Sequence, residues 1–430
     1  MTKPALAKRL ESALGNKGVV CSSEDLTRYS VDGRPPSVIC LPADTDQMAA
    51  ALRLCGESDA AVAPWGGGTA IRVGNLLRRL DAVMSVERLN HVVEHDHANL
   101  TATLGSGMTV NAVQRHLARE KQFLPWDIPF PASATIGGVV AVNLNGFRRS
   151  YYGSVRDFVI GMKVVLPTGE QIKAGGKVVK NVAGYDMCKL FVGSLGTLGI
   201  ITEVTVRVAP IPETSVTFMG GGSLVQVSQL LSELSRSVCH PAAVVLMNSV
   251  AHTGLGEEWA VAIRTDGFEE SNARQLREFG AMAERKGLRR ITLRDRSHDA
   301  LWNHVRDFPL QPDHVIYRVN VPSASASQVV RALCELHANE CLPAIASDTS
   351  AGVVWMALPA KHANPAKTAK VTLLAQEHSG NAVLFAAPPE AKEGIDVWGP
   401  APPTLPIMKE IKGRFDPRDI LNPGRFIGGI

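Results

Sequence analysis

The sequence predicts an α+β protein built from several units, and three features of the chain carry that prediction. The first 210 of the 430 residues alternate short apolar runs with amphipathic helical patterns. The Ala-Pro-Ile-Pro run at 209–212 then interrupts the chain, because its two prolines cannot donate hydrogen bonds to a β-ladder. Beyond it, the order strand, helix, strand, strand, helix, strand occurs twice, which predicts one antiparallel sheet with helices on one side.

The elements before the interruption are predicted from local patterns. A helix over 44–55 has apolar residues spaced for one face and Asp44 or Thr45 as its N-cap, and a second amphipathic helix covers 109–120. The run 201–208 alternates apolar and polar residues, which predicts a half-buried strand. The other predicted strands are the apolar runs at 37–41, 60–63, 82–86, 100–104 and 159–166.

After the interruption, each repeat supplies four strands and two helices. The predicted strands cover 215–219, 243–248, 259–264, 290–293, 315–321, 343–347, 353–358 and 382–386. The predicted helices cover 223–236, 269–286, 325–338 and 364–378. Prolines at 388–389 and between 400 and 406 interrupt the chain again, before a short helix from Leu405 to about Arg414. We therefore divide the chain into three parts, at 1–212, 213–390 and 391–430.

Composition and charge exclude several function classes. The formal net charge is +4, from 45 basic and 41 acidic residues, and this small excess does not favour nucleic acid as a partner. The N-terminal stretch lacks the apolar core of a secretory signal, and no run approaches the roughly 18 apolar residues of a membrane-spanning helix. The seven cysteines include no C-x-x-C pair, which argues against an iron–sulfur cluster or a zinc site and favours a reduced, cytoplasmic protein. We predict no metal site.

Three consecutive glycines follow the predicted strand at 60–63. In the stretch PWGGGTA, Gly66, Gly67 and Gly68 precede Thr69 and Ala70. Each glycine costs conformational entropy on folding, so either the turn needs a positive φ or something approaches the backbone closely. Consecutive main-chain N–H groups suit the pyrophosphate of a nucleotide, whereas a plain tight turn needs no ligand. The residues alone leave both interpretations open.

Two further stretches rich in small residues follow. PASATIGG at 131–138 is predicted as a loop along which a flat ring system could lie, and LGTLGIIT at 195–202 leads into the strand at 201–208. The Rossmann fingerprint G-x-G-x-x-G and the P-loop GxxxxGK[ST] are both absent, which argues against a classical NAD fold and against P-loop chemistry. A long ligand with a diphosphate between its two ends, such as FAD, fits three loops of this kind.

Five motifs resemble the FAD-linked oxidases of the vanillyl-alcohol oxidase and p-cresol methylhydroxylase type, and they occur in that family's order. The motifs are PWGGGTA, PASATIGGVVAVNLNG, YGSVRDFVIGMKVVLPTGE, KNVAGYDMCKLFVGSLGTLGIITEVTVRV and LNPGRF. GSVRDFVIG and KNVAGYD are similar in particular to the FAD-binding subunits of bacterial glycolate oxidase complexes. The resemblance implies a two-subdomain FAD-binding domain at 1–212, an α/β cap or substrate domain with an antiparallel sheet at 213–390, and a segment at 391–430 that returns to the FAD domain.

The resemblance also implies roles for individual residues. The implied FAD-binding residues are Gly66, Gly67, Gly68, Thr69 and Ala70 at the pyrophosphate, Pro131, Thr135, Gly137 and Gly138 beside the diphosphate, Gly153 and Val155 over the flavin, and Gly199, Ile200 and Ile201 along the cofactor. A segment that orders the fold near the flavin is matched by Lys180, Asn181, Gly184, Tyr185 and Asp186. Some relatives attach FAD covalently through a histidine in the glycine loop, where this chain has Thr69 and Ala70. We therefore expect non-covalent FAD.

Arg148 and Tyr152 are the candidate substrate-binding residues. The guanidinium groups of Arg148 and its neighbour Arg149, just after the second small-residue stretch, could clamp a substrate carboxylate beside the flavin. The alternatives for the arginine are a solvated basic turn and a surface that faces a partner subunit.

The resemblance implies oxidation of a 2-hydroxy acid, for example glycolate to glyoxylate, by hydride transfer to the flavin. Several self-sufficient relatives carry an H-x-G-D-G-N-x-H run that supplies a metal ligand and a catalytic histidine, and this chain lacks it. The catalytic acid or base is therefore not identified. We expect a subunit that passes electrons to an iron–sulfur partner, together with a second flavin subunit, and that meets a membrane only through them. A self-sufficient dehydrogenase and a non-catalytic assembly subunit remain alternatives.

Overall fold

The computed structural model describes residues 3–176, 185–248, 255–338 and 340–430. Three residues of the KNVAGYD motif that the sequence singled out, Lys180, Asn181 and Gly184, lie outside these ranges. No helix within the described ranges has the length and the apolar character needed to cross a bilayer.

The first of the main sheets has four strands and is mostly parallel. Its strand order is Val19–Val20, Val38–Cys40, Ala82–Ser85 and Val62–Trp65. The last three strands run parallel, so their carboxyl ends lie at one edge, and the glycine stretch leaves the sheet there. The predicted helix between two of them is confirmed as Thr45–Glu57, with the Asp44 carboxylate accepting from the N–H of Gln47 at 2.8 Å.

A second, five-stranded sheet is antiparallel throughout. Its strand order is Val92–Asp96, Thr101–Gly105, Ile200–Arg207, Val159–Val165 and Gln171–Gly175. The alternation read in 201–208 is confirmed, because Val204 and Val206 are buried while Arg207 is exposed. The amphipathic helix is confirmed as Val110–Leu117, and the Thr109 hydroxyl caps it by accepting from the N–H of Ala112.

The repeated pattern forms a single eight-stranded sheet, and every pairing in it is antiparallel as predicted. Its strand order is Arg289–Leu293, Thr214–Gly222, Trp259–Gly267, Ala243–Met247, Ala344–Asp348, Val353–Pro359, His314–Asn320 and Asn381–Ala386. One face packs on the four predicted helices, which the structure places at Leu224–Leu234, Glu269–Arg285, Ala326–His337 and Pro365–Glu377.

The opposite face of the eight-stranded sheet packs against the first half of the chain. Alternate strand residues such as Val245, Ala262 and Trp355 share a core with Leu104 of the five-stranded sheet. A helix that the sequence analysis did not predict, Asp295–Asp307, lies on this face too, and its apolar side belongs to the same core. Helices therefore cover both faces of the sheet rather than one, although four of the five lie on the predicted side.

The C-terminal segment packs on the four-stranded sheet. The helix expected from Leu405 is confirmed as Leu405–Phe415. After it, Ile420 accepts from the N–H of Val62 at 2.7 Å and the N–H of Asn422 donates to the Val62 carbonyl at 2.9 Å. These bonds extend the sheet beside the strand that leads into the glycine stretch. The boundaries at 212 and 390 stay predictions.

The remaining regular elements connect these layers. The other helices are Lys3–Leu14, Ser23–Arg28, Ile136–Val142, Arg149–Tyr152, Val155–Phe158 and Cys188–Phe191. The short strand Ala209–Pro210 pairs with Gln122–Phe123 at the predicted interruption. Single 3₁₀ turns lie at Asn16–Gly18, Ala118–Glu120, Phe308–Leu310, Ser323–Ser325, Ala360–His362, Pro389–Lys392 and Ile427–Gly429.

Candidate functional site

A deep cleft opens between the four-stranded and five-stranded sheets. We call it the glycine cleft; about 950 Å³ of space between its walls is free of protein atoms, and part of that space is open to solvent. Its walls come from three stretches that the sequence singled out and from the C-terminal tail. The lining residues are 64–71, Val73, Val86, Ile128, Thr135, 137–139, Ala141, Val142, Leu144, Leu195, Gly196, 199–201, Asn422 and Arg425.

The glycine stretch presents unpaired main-chain donors to the cleft. Within the described part of the chain, none of the five N–H groups from Gly66 to Ala70 donates a hydrogen bond to a protein acceptor. All five residues are at least partly exposed, and all five line the cleft. Successive main-chain N–H groups without protein acceptors form a concavity suited to an anion.

The glycines themselves are required by the neighbouring chain. A Cβ on Gly67 would lie 1.7 Å from the carbonyl oxygen of Ser133, and one on Gly66 would lie 2.1 Å from the Thr135 hydroxyl oxygen. Gly68 has φ +71°, a left-handed conformation that favours glycine. Both reasons for glycine that the sequence suggested therefore apply. Gly68 has a positive φ, whereas Gly66 and Gly67 are approached closely by the stretch at 131–135.

The second stretch differs in part from the prediction. The sequence was interpreted as a continuous loop, whereas the structure has a helix at Ile136–Val142. Thr135 begins it, with its hydroxyl accepting from the N–H of Gly138 at 3.4 Å, and the N–H of Gly137 donates to the Ser106 carbonyl at 2.8 Å. Glycine and β-branched residues are weak helix formers, so burial against the five-stranded sheet rather than propensity sustains this helix.

Most of the predicted FAD-binding residues line the cleft together. The residues that the structure brings together are Gly66, Gly67, Gly68, Thr69, Ala70, Thr135, Gly137, Gly138, Gly199, Ile200 and Ile201. Pro131, Gly153 and Val155 lie outside its wall. Val155 is buried, with its N–H on the Asn145 amide oxygen at 2.7 Å, while the carbonyl of Pro131 accepts from the N–H of Asn111 at 2.9 Å.

The two predicted substrate-binding residues join the loop at 145–152 to the eight-stranded sheet. The Arg148 guanidinium is buried, with Nη2 2.7 Å from Asp127 and Nη1 3.6 Å from Asp266. The Tyr152 hydroxyl donates to Asp266 at 3.1 Å. Burial opposes the charge on Arg148, but the two carboxylates outweigh it and raise its pKa. Contact of Arg148 and Tyr152 with substrate stays a prediction.

The charged residue among the lining residues was not predicted. Arg425, in the LNPGRF motif, lines the glycine cleft and is buried, with Nη1 2.9 Å from the Asp32 carboxylate. Its Nη2 donates to the carbonyl of Ile71, directly after the glycine stretch. Burial lowers the pKa of Arg425 and Asp32 opposes that shift. Nothing in the motif reveals this contact, because its partner lies near the other end of the chain.

Metal ligation has no candidate in the described ranges. No group of three or more His, Cys, Asp or Glu side chains among these residues is arranged to hold a metal ion.

Most of the residues that line the glycine cleft lie in segments that match known protein families. The chain matches the FAD binding domain over residues 36–175 and the C-terminal domain of FAD linked oxidases over residues 400–426. The first match contains the stretches at 66–70 and 131–138, and the second contains Arg425. These matches identify FAD as the cofactor.

Relatives along the whole chain are similar in sequence and in fold. Glycolate oxidase subunit GlcD of Bacillus subtilis (strain 168) is 28% identical over 434 residues, which cover 92% of this chain and 91% of the relative. Glycolate oxidase subunit GlcE of Escherichia coli (strain K12) is 28% identical over 342 residues, which cover 78% and 84%. The solved structure of p-cresol methylhydroxylase with substrate bound has a TM-score of 0.74 at 14% identity, covering 98% of this chain and 96% of that one. The predicted fold class is therefore confirmed.

Proposed function

Since the chain belongs to the FAD-linked oxidases, we propose that it is a 2-hydroxy-acid oxidoreductase and the FAD-binding subunit of a glycolate oxidase-like complex. In this role it oxidises glycolate to glyoxylate. The observation that carries the proposal is the run of five unpaired N–H groups from Gly66 to Ala70, which lies inside the segment matched by the FAD binding domain.

The glycine cleft fits the cofactor. The five N–H groups hold the diphosphate, because its oxygens supply the acceptors that the chain does not. Apolar side chains such as Val139, Ile200 and Ile201 contact the flat ring systems on either side of it. Arg425 adds one positive charge to the wall of the cleft. Pro131, Gly153 and Val155 act by holding the surrounding loops rather than by lining the cleft.

The chain's own contribution to the reaction is binding, orientation and electrostatics. When bound, FAD supplies the acceptor for the hydride that leaves the carbinol carbon. The glycine cleft holds the cofactor between the four-stranded and five-stranded sheets.

Partner subunits complete the proposed electron path. The names of the two glycolate oxidase relatives describe them as subunits, and this chain spans most of the length of both. We therefore propose a second flavin subunit and an iron–sulfur subunit as partners, with the protein in the cytoplasm and in contact with a membrane only through them.

The proposal is tested on the purified chain by its visible spectrum before and after anaerobic addition of glycolate. We expect flavin absorbance in the isolated chain and bleaching by glycolate when the partner subunits are present. Bleaching without partners would support a self-sufficient dehydrogenase. Flavin that glycolate leaves unchanged in the assembled complex would support an assembly subunit, and a colourless chain that takes up no added FAD would overturn the proposal.

The mode of attachment has its own test. Thr69 and Ala70 stand where some relatives carry the histidine that bonds to the flavin, so the proposed FAD is non-covalent. After acid precipitation, all of the flavin should be found in the supernatant and none in the protein pellet. Flavin retained by the pellet would contradict this part of the proposal.

A further inference from the structure

The segment 307–314, which we call the clasp, contacts the chain beside both of the small-residue stretches that form the first walls of the glycine cleft. It joins the helix Asp295–Asp307 to the strand His314–Asn320 of the eight-stranded sheet. One end of the clasp meets the residue directly before the stretch at 131–138. The other end meets a residue two positions after the stretch at 66–70. The clasp therefore connects the two stretches through a third part of the chain.

One end of the clasp offers three main-chain carbonyls to Arg72. The Nη2 of Arg72 donates to the carbonyl of His314 at 2.6 Å. Its Nη1 donates to the carbonyl of Gln311 at 3.1 Å and to the carbonyl of Pro312. Burial lowers the pKa of Arg72, and the charge of Asp313 opposes that shift. Because a guanidinium presents its donors in a rigid fork, these bonds fix the direction as well as the distance between the two segments.

The main chain at Arg72 is itself held by two buried cations. The ammonium of Lys392 donates to the carbonyls of Arg72 and Gly74, at 2.7 and 2.9 Å. Arg425 donates to the carbonyl of Ile71. Both cationic side chains are almost fully buried. The side chain of Arg72 therefore connects a fixed point beside the glycine stretch to the clasp.

The middle of the clasp is fixed in the core. It forms the 3₁₀ turn Phe308–Leu310, whose three residues are all buried. Phe308 and Leu310 belong to the core that the eight-stranded sheet shares with the first half of the chain. Protein interiors are close-packed, so a segment held in this way keeps its two ends at a set separation.

The other end of the clasp holds Phe130, which has φ +51°. A bulky residue rarely adopts this left-handed conformation, and it persists only where the surrounding contacts hold it. The Asp307 carboxylate accepts from the N–H of Phe130 at 3.1 Å. The carbonyl of Phe130 accepts from the N–H groups of Ser133 and Ala134, at 2.9 and 2.8 Å. Asp307 therefore supports the turn with which the second stretch begins.

We propose that the clasp is a positioning element for FAD, which holds the two stretches at the spacing that the diphosphate requires, and that Arg72 and Asp307 are its positioning residues. This inference rests on the part of the proposed function that places FAD in the glycine cleft. The stretches touch each other where Gly67 packs on the carbonyl of Ser133, and a glycine has no side chain to strengthen that contact. Release of either end of the clasp lets the stretches move apart and weakens the grip on the diphosphate.

The two ends are tested by FAD binding to the full chain. Free FAD in ultrafiltrates of the loaded protein, measured at a series of protein concentrations, gives the dissociation constant without any use of substrate. Arg72→Met and Asp307→Ala should each raise this constant at least about tenfold, since each loses hydrogen bonds made by a charged group. Arg290→Met is the matched control. It loses a bond to the Gly280 carbonyl at 2.9 Å, at the edge of the eight-stranded sheet, and should bind FAD as the wild type does.

Asp307→Asn separates the hydrogen bond to Phe130 from the ion pair that Asp307 forms with Arg306 at 2.8 Å. The amide keeps an oxygen that accepts from the N–H of Phe130 but loses the negative charge. We therefore expect FAD affinity within about twofold of the wild type. An Asn variant that binds FAD as weakly as Asp307→Ala would assign the effect to the ion pair and overturn the role of Asp307. These two variants decide the question alone if Arg72→Met does not fold.

The double variant Arg72→Met/Asp307→Ala tests whether the two ends act as one element. A clasp released at one end no longer joins the stretches, so the double variant should bind FAD about as well as the weaker of the two single variants. Independent contacts would instead multiply, to about a hundredfold or more, and that result would overturn the clasp. So would unchanged FAD affinity in both single variants. Oxidation of glycolate is judged separately, by bleaching of the wild type, so each proposal can fail alone.

Discussion

Arg425 and Asp32 form an ion pair of 2.9 Å between residues that are 393 positions apart in the sequence. Both side chains are almost fully buried, and Lys392 lies 3.9 Å from the same carboxylate. Arg425 also donates to the carbonyls of Ile71 and Asn75. The C-terminal tail therefore holds the chain that follows the glycine stretch, and it fixes one wall of the glycine cleft.

Arg425→Met should destabilise the fold and reduce the flavin content. It leaves the buried carboxylate of Asp32 with Lys392 as its remaining cation, so we expect a loss of about 3 kcal/mol in the free energy of unfolding in urea. Arg78→Met is the control, since its ion pair with Asp419 is exposed and should contribute less than about 1 kcal/mol. Equal urea midpoints for the two variants would contradict a structural role for Arg425.

Gly67→Ala should abolish FAD retention. The added Cβ would lie 1.7 Å from the Ser133 carbonyl oxygen, so the two loops of the cleft must separate. The matched control is Gly413→Ala, in the helix Leu405–Phe415, where an added Cβ meets nothing within 4 Å. Flavin absorbance of both purified variants measures the effect. Normal flavin in the Gly67 variant would show that the two loops need not touch to hold the cofactor.

Stability should depend on pH through Asp348. Burial raises the pKa of Asp348 to about 7, against the opposing charge of Arg149. Between its usual value near 4 and this value, the folded protein holds more protons than the unfolded chain, so the stabilisation by the protonated acid is lost as the pH rises through 7.

Asp348→Asn should remove that dependence. The amide stays neutral, so relative to the wild type the variant should gain about 2 kcal/mol of unfolding free energy between pH 5 and pH 8. Urea unfolding of both proteins across this range is the measurement. Parallel pH profiles for the two proteins would mean that the folded state ionises Asp348 as readily as the unfolded chain does.

Arg148→Met should weaken the contact between the loop at 145–152 and the eight-stranded sheet. Asp127 loses its buried counter-ion, and Asp266 keeps Arg264 at 2.7 Å, so we expect a loss of about 3 kcal/mol in unfolding free energy. Tyr152→Phe loses one hydrogen bond and should cost about 1 kcal/mol. A raised KM for glycolate in Arg148→Met, without lower stability, would instead assign the arginine to the substrate.

Local patterns predicted the eight-stranded sheet, most strands of the other two main sheets and seven of the fourteen α-helices in the described ranges. Side-chain alternation and the repeated order of elements predicted the eight antiparallel strands, because the apolar pattern of a buried strand is visible within one short segment of the sequence. The helix Asp295–Asp307 was not predicted, because its sequence is largely polar and its apolar side consists of only Leu301, Trp302 and Val305. The helix Ile136–Val142 was not predicted, because its residues have low helix propensity. It forms because burial of its apolar residues outweighs that propensity.

Only part of the candidate site was predicted, because a sequence pattern reveals residues that are close together in the chain. The glycine stretches are contiguous, so their residues were named from the sequence, and eleven of the fourteen predicted FAD-binding residues line one cleft. Contacts between distant segments have no local signal. The pairing of Arg425 with Asp32, and the meeting of Arg149 with Arg318 and Asp348, are produced by the packing of the sheets.

A crystal structure of the chain with FAD bound tests the central claim most directly. We predict electron density for the whole dinucleotide in the glycine cleft, with diphosphate oxygens within hydrogen-bond distance of main-chain N–H groups between Gly66 and Ala70. Density for FAD elsewhere on the molecule, or a diphosphate held by side chains away from that stretch, would contradict the account.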